Sequence, residues 1–572
     1  MLTLLLVACA TEPAPVPPLP PPAPAAAPAE PTRLVVAVDE LGPGFNPHLL
    51  AHLSPTTTAL ATLVLPSVFR PDADGIPRLD RTVVTSAEVV STDPFTVSYE
   101  IDLRASWSTN TPIAAEDFVY LWQRMRSEPG VTDAAGYRLI TDVRSRAGGK
   151  AVDVVFAKPY PAWQHLFTNL LPASILKDAP GSWVGALTGG LPASGGPFRI
   201  VSVDRARGEV VLTRNDLYWA TPAVLDQLVL RRLDDTALTT GLAAGDVDVA
   251  WTAAESQLRQ SLAGVLPPLS VQAAPQPTVI QLAMRVDAGP LADARVRRAV
   301  AALIDREAVR AAVAPEALPA DAFGLAPSEP GYTSTAPPRL GPEQVGELLL
   351  AAGWTSAEPG RWTVEGRPVR LVIGAAAERA DDVLIAELVA GQLDAAGIDV
   401  VVVAPPAAAL FGQPLVPPTP PTATTPIPTS GQPTPSPPAD TSAAAVRVDL
   451  TVLSRTVGGD PGTELASDYG CPDEAQAAQA TGGVPAPSAA TAGSCVPSLQ
   501  VLLDTLLTGV VSEAVRDNVE GELWRQQPAL PLFQPVTVVA STPAAAAATG
   551  VGTGPLLTGP LTGAQGWVEP AG

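Results

Sequence analysis

The segment from 416 to 442, VPPTPPTATTPIPTSGQPTPSPPADTS, suits neither regular backbone. Proline fixes φ and lacks the amide donor that a helix interior or a central strand needs. Its flanks read the opposite way: IDVVVVA before it and VRVDLTVLS after it are rich in β-branched residues and predict strands. The economical reading is a disordered insertion, 405 to 445, between two strands of a folded body, tolerated because long surface loops cost little. A second tract, ATEPAPVPPLPPPAPAAAPAEPT (10 to 32), is expected to run as polyproline II, roughly 65 Å long at about 3.1 Å per residue. It reads as a tether between residues 1 to 9 and the folded part. The 65 prolines thus make the folded mass smaller than 572 residues suggest, while 46% hydrophobic residues still suffice for sizeable cores.

What the tether is fixed to is suggested by MLTLLLVAC. An apolar run ending Leu6-Val7-Ala8-Cys9 matches a bacterial lipobox, which predicts diacylglycerol on Cys9 and anchoring to the outer face of the plasma membrane. The run has no basic n-region, so translation is expected to begin further upstream. No other apolar run approaches 18 residues, so no second membrane crossing is expected. An extracytoplasmic location lets Cys471 and Cys495 pair, and the bond is preferred over two buried thiols. Closing the low-complexity loop 472 to 494 would contribute on the order of 3 kcal/mol. Net charge of −22 argues against nucleic acid or anionic headgroups as electrostatic partners.

Between the tracts, strand and helix patterns alternate: strands at 33 to 39 and 96 to 103, a helix at 114 to 125, and a hairpin at 198 to 215. A helix over 293 to 313 and a helix and strand over 381 to 403 follow. This is an α/β chain. No catalytic motif accompanies it: G-x-S-x-G, H-E-x-x-H and phosphate-binding glycine loops are absent. His48 and His52 stand four apart without a third metal ligand nearby, Glu116-Asp117 and Asp234-Asp235 suit capping better than acid/base work, and Arg295, Arg297 and Arg298 read as the solvated side of their helix. No enzyme, metal or cofactor is expected. Trp107, Tyr137, Trp163, Tyr218-Trp219 and Trp251 suit core packing, or a cleft if several line one.

The segments FTVSYEIDLRASWSTNTPIAAEDFVYLW, GGPFRIVSVDRARGEVVLTRNDLYW, GLAAGDVDVAW, LADARVRRAVAALIDREAV, PEQVGELLLAAGW and LVAGQLDAAGIDVVVV, in that order, resemble the family 5 extracellular solute-binding proteins, the oligopeptide and dipeptide binders of ABC importers. The resemblance implies a two-lobed periplasmic-binding-protein fold (type II, cluster C) with an extra domain. Lobe I would comprise 33 to 65, 193 to 281 and 505 to 572, the extra domain 66 to 192, and lobe II 282 to 504. It also implies a monomer that closes on a small ligand. Phe45 and Asn46, in GPGFNPHLL, would face that ligand, as would Trp107 and Tyr137. Peptide binders of the family carry a Trp shortly before an aspartate turn that receives the peptide amino terminus. Here Asp460 keeps the acid, although a GGDPG turn explains an Asp by itself, Ser454 and Arg455 stand where the Trp is expected, and Asp460 and Arg455 are expected as ligand contacts. Within the family, GPGFNPHLL, AAGYRLITDV, KPYPAW, SDYGCP and QGWV resemble actinobacterial cell-envelope lipoproteins, which implies a regulator of phosphatidylinositol mannoside and lipoarabinomannan synthesis. Either a peptide or a glycolipid headgroup would then be the ligand, with an ABC permease or a mannosyltransferase as membrane partner.

Overall fold

The computed structural model describes residues 31–180, 182–358, 360–412, 448–471, 495–509 and 512–570. Cys9 and its lipobox, nearly all of the 10 to 32 tether, positions 413–447 and the 472 to 494 loop lie outside the described residues.

Two sheets organise the rest. In the first, seven strands run in the order Ser270–Pro275, Val536–Ser541, Val249–Ala253, Arg33–Val38, Gln227–Arg232, Glu209–Arg214, Phe198–Asp204. Arg33–Val38 pairs in parallel with both neighbours, so helices must cover its faces, and its RLVVAV sequence is apolar on both. Leu34, Val36 and Val38 enter one core, while Val35 and Ala37 enter another with Leu238, Leu242, Leu258 and Leu262 of the helices Asp235–Ala244 and Ser256–Ala263. The second sheet has six strands, ordered Leu318–Pro319, Ala529–Gln534, Thr278–Met284, Leu450–Thr456, Arg370–Gly374, Asp399–Val403. A four-stranded antiparallel sheet, Val84–Thr92, Phe95–Ile101, Ala151–Phe156 and Ile140–Arg146, belongs to the extra domain. Its helix Ala115–Ser127 buries Phe118, Leu121 and Met125 at helical spacing, and Asp117 accepts the Ala114 amide at 3.0 Å across the first turn. This is the two-lobed architecture expected from the sequence.

The lobes are joined by two crossovers. Ser270–Pro275 passes into Thr278–Met284 through Gln276 and Pro277, and Ala529–Gln534 passes into Val536–Ser541 through Pro535. The Gln276 amide donates to the Pro535 carbonyl at 2.8 Å and Gln534 Nε2 to the Gln276 carbonyl at 2.8 Å, so the crossovers lie side by side. These positions correct the boundaries drawn at 281/282 and 504/505. Strands Thr278–Met284 and Ala529–Gln534 hydrogen-bond into the second sheet, and the helices Gln500–Thr508 and Glu513–Gln526 pack on the helices Pro461–Tyr469 and Ala294–Leu303, which follow strands of that sheet. Both strands have apolar composition that suits either sheet, and only their pairing decides.

Three further corrections follow from local chemistry. The helix over 293 to 313 is two helices, Ala294–Leu303 and Arg306–Val313, because the Asp305 carboxylate accepts from the Ala308 amide at 3.0 Å and starts the second. Arg297 is buried rather than solvated. Its guanidinium donates to the carbonyls of Leu291 and Ala292, just before its own helix, and of Gln526, at the end of the helix Glu513–Gln526. The insertion begins later than 405, since Ala407–Phe411 is helical and buries Leu410 and Phe411 against Leu50 and Leu53.

Candidate functional site

The turn after the first strand positions one wall of the cleft. Phe45 is buried beneath the Arg205 guanidinium, 5.6 Å from its ring centroid. Asn46 is fully buried: its amide donates to His52 Nδ1 at 3.2 Å, its Oδ1 accepts from the His48 amide at 3.1 Å, and its Nδ2 donates to the Trp183 carbonyl at 3.3 Å. Both residues are therefore turn architecture, which corrects their expected place in the ligand space. His48 lies on the cleft instead. Its Nε2–H donates to the Asn169 carbonyl at 3.0 Å, and burial lowers its pKa to about 4, so the ring is a neutral wall. Trp107 is likewise removed from the site. It is fully buried and its indole N–H donates to Asp117 Oδ2 at 3.2 Å.

Two adjoining cavities, of about 190 Å³ and about 210 Å³, occupy the space between the lobes and share Thr58, Pro277, Leu557 and Thr558 in their linings. The first is walled by His48 and Thr62 on lobe I, by Ser67, Arg70, Asp133, Tyr137 and Asn169 on the extra domain, and by Thr456 on lobe II. Of the residues expected to bind ligand, Tyr137 alone reaches it. Its hydroxyl accepts the Phe167 amide at 2.7 Å, and burial raises its pKa, so it is a neutral phenol. Arg70 is committed elsewhere. Its Nε donates to Asp80 at 2.8 Å, and its two terminal nitrogens donate to the Thr62 and Leu65 carbonyls at 3.1 Å each. The lining thus offers hydroxyls and amides that both donate and accept, one carboxylate, and no cation with all its donors free.

That carboxylate is Asp133. Its backbone φ of +52° is left-handed, a conformation Asp adopts more readily than most residues. Thr456 Oγ1 stands 3.1 Å from each carboxylate oxygen, and burial raises the pKa of the group. The residue before Thr456, Arg455, is 3% exposed and bound by Asp468 at 2.8 Å and Glu464 at 3.2 Å. A guanidinium so engaged does not contact a ligand, which corrects its expected role. Asp460 caps the helix Pro461–Tyr469, accepting from the Thr463 amide at 2.8 Å and its hydroxyl at 2.7 Å. Turn chemistry accounts for it, and neither cavity includes it in its lining.

The lobes touch on both sides of the cavity. Arg379 of lobe II donates to the Leu50 and Leu53 carbonyls of lobe I at 2.6 and 3.1 Å. Tyr160 of the extra domain meets Thr463 at 2.7 Å, and the Ala135 amide donates to Ser467 Oγ at 3.0 Å. Gly458, at φ +95°, lets the C-terminal segment close in: a Cβ there would stand 2.9 Å from Leu556. Sequence reasoning missed His48 as a wall, Asp133, Thr456 and Arg379. Nothing in the chain around Asp133 sets it apart from an ordinary loop acid. The described residues hold no group of three His, Cys, Asp or Glu placed for a metal. Cys471 and Cys495 are bonded, with Cα atoms 4.7 Å apart, beside the second lobe's helices. A larger cavity of about 400 Å³ lies on lobe II, but three of its four arginines, Arg306, Arg310 and Arg339, are paired with Asp321, Glu307 and Asp305.

Residues 81–419 match the model of the bacterial extracellular solute-binding proteins, family 5 Middle. The chain is 34% identical to a Mycobacterium tuberculosis protein described as "Probable monoacyl phosphatidylinositol tetramannoside-binding protein LpqW", over 94% of this chain and 92% of that one. It is 29% identical to the oligopeptide-binding protein OppA of Mycobacterium bovis over 56% of each. Among solved structures, the oligopeptide-binding protein AppA of Bacillus subtilis, in complex with a nonapeptide, shares the fold with a TM-score of 0.71 at 15% identity, covering 95% of this chain and 100% of that one.

Proposed function

Since this chain belongs to the bacterial extracellular solute-binding proteins of family 5, we propose that it is a non-enzymatic, lipid-anchored binding protein whose cleft takes the headgroup of a mannosylated envelope lipid. Occupancy would modulate phosphatidylinositol mannoside and lipoarabinomannan synthesis through a membrane-protein partner such as a mannosyltransferase. The observation that carries this reading is the cleft lining: hydroxyls, amides, a neutral imidazole and one carboxylate, a set that exchanges hydrogen bonds with a polyhydroxylated ligand. The similarity to LpqW supports it independently. Cys9 is the proposed point of lipid anchoring.

A second reading, a peptide-binding subunit of an ABC importer, is favoured by the similarity to OppA and by the same carboxylate, which would also suit an ammonium. Mass spectrometry of what is released on denaturing the chain, purified from an actinobacterial host, separates the two. A mannosylated lipid is the expected result; a ladder of short peptides would establish import and overturn the regulator reading.

A further inference from the structure

Among the described residues, Asp133 is the one carboxylate in the lining of this cavity. It sits on the extra domain in a left-handed backbone conformation, on the wall of the interlobe cavity. Its side chain is met by a single hydroxyl, Thr456 Oγ1, at 3.1 Å to each oxygen, and that hydroxyl belongs to the opposite lobe. One O–H has one proton, so it serves the two oxygens in turn, and a carboxylate has about four lone-pair sites. Arg455, whose charge acts on Asp133, is occupied by Glu464 and Asp468, and Arg70 donates from every nitrogen within its own surroundings. Further charged and titratable groups around Asp133 are Tyr137 and Tyr160 on the extra domain and Glu464 and Asp468 on lobe II, and the two lobe II groups are acids that cannot satisfy it. A half-buried carboxylate with most of its acceptor capacity unused calls for donors from the cavity side.

We infer that Asp133 is the ligand-selecting acceptor of the cleft: paired donors of the bound ligand, the adjacent hydroxyls of a sugar ring, complete its hydrogen bonding and, with Thr456, tie the extra domain to lobe II. The inference rests on the proposed glycolipid reading and adds the residue that enforces it. An anionic group at this position would meet Asp133 without a free cation to offset it, so the phosphate of a mannosylated lipid must lie away from this wall. Specificity then comes from the cost of leaving a half-buried carboxylate with Thr456 alone whenever a ligand lacks donors there.

Titration calorimetry with two soluble probes, an α-linked mannotetraose and trialanine, against the unaltered chain and the Asp133→Asn variant tests this. Asparagine also tolerates positive φ, so the fold survives and the melting temperature serves as the control. The expected result is mannotetraose binding that weakens at least tenfold in Asp133→Asn, with the melting temperature unchanged within a few degrees. Binding of mannotetraose that the variant retains within twofold would overturn the role of Asp133 while leaving the proposed function standing. Binding of trialanine alone overturns the proposed function. In that case tenfold loss in Asp133→Asn keeps Asp133 as the selecting acceptor, with an ammonium as its donor, and unchanged affinity overturns that as well. Failure of the unaltered chain to bind either probe overturns both.

Discussion

Arg455 is held by two carboxylates in a site closed to water, and the three groups depend on one another. Burial raises the pKa of Glu464 and Asp468, and the guanidinium opposes that shift. Arg455→Met is expected to destabilise the chain by about 3 to 5 kcal/mol, because it leaves uncompensated buried acids. Urea denaturation at neutral pH measures this, and a loss below 1 kcal/mol would mean the triad is not electrostatically coupled. The histidines give a pH prediction. Burial lowers both His48 and His52 to about 4, well below the unfolded value of 6.5. Between those values the unfolded chain binds protons that the folded chain does not, so stability from these groups is full above 6.5 and is lost as pH falls toward 4. Each contributes roughly 3 kcal/mol at most, from about 1.4 kcal/mol per pKa unit. Imidazole signals in an NMR titration should stay neutral at pH 5; half-protonation near 6.5 would contradict the burial argument. At this scale the sequence was legible where a residue acts on its neighbours, as Asp460 does in its turn. It was not legible where the partner is distant: Arg297 finds its carbonyls at 291, 292 and 526, and Asp133 finds Thr456 across 323 positions.

Asp460 also decides a question about an element. If it only caps Pro461–Tyr469, Asp460→Ala should cost about 1 kcal/mol and Asp460→Ser should recover most of it, since both Asp and Ser accept the first-turn amide. Thermal unfolding reads the cost, and ligand affinity should stay within twofold of the original. A tenfold loss of affinity in Asp460→Ser would restore its role as a ligand contact. Elements with strong period were visible in advance. The strand Phe95–Ile101 alternates and Ala115–Ser127 shows its apolar stripe. Element ends decided by a side chain far from the repeat were not, as at Asp305, where a single cap divides one apparent helix into two.

At the scale of the whole molecule, the two crossovers at Gln276-Pro277 and Pro535 are the only described chain links between the sheets, which suits a hinge. Arg379 clasps the opposite side, donating to the Leu50 and Leu53 carbonyls. Arg379→Ala should loosen closure and raise the dissociation rate of a bound ligand several-fold with little effect on association, as stopped-flow release would show. An unchanged rate would remove Arg379 from the closing contacts. The apolar strands told that two sheets exist, and family resemblance told that they form two lobes; which sheet each strand near 280 and 530 joins is fixed only by pairing in three dimensions. The central claim is that the cavity at Asp133, Tyr137 and Thr456 holds a sugar-bearing ligand. A crystal structure of the chain carrying the ligand acquired in an actinobacterial host tests it most directly: the account predicts sugar hydroxyls within hydrogen-bond distance of Asp133, and an extended peptide in that cavity, or a ligand seated elsewhere on the molecule, would contradict it.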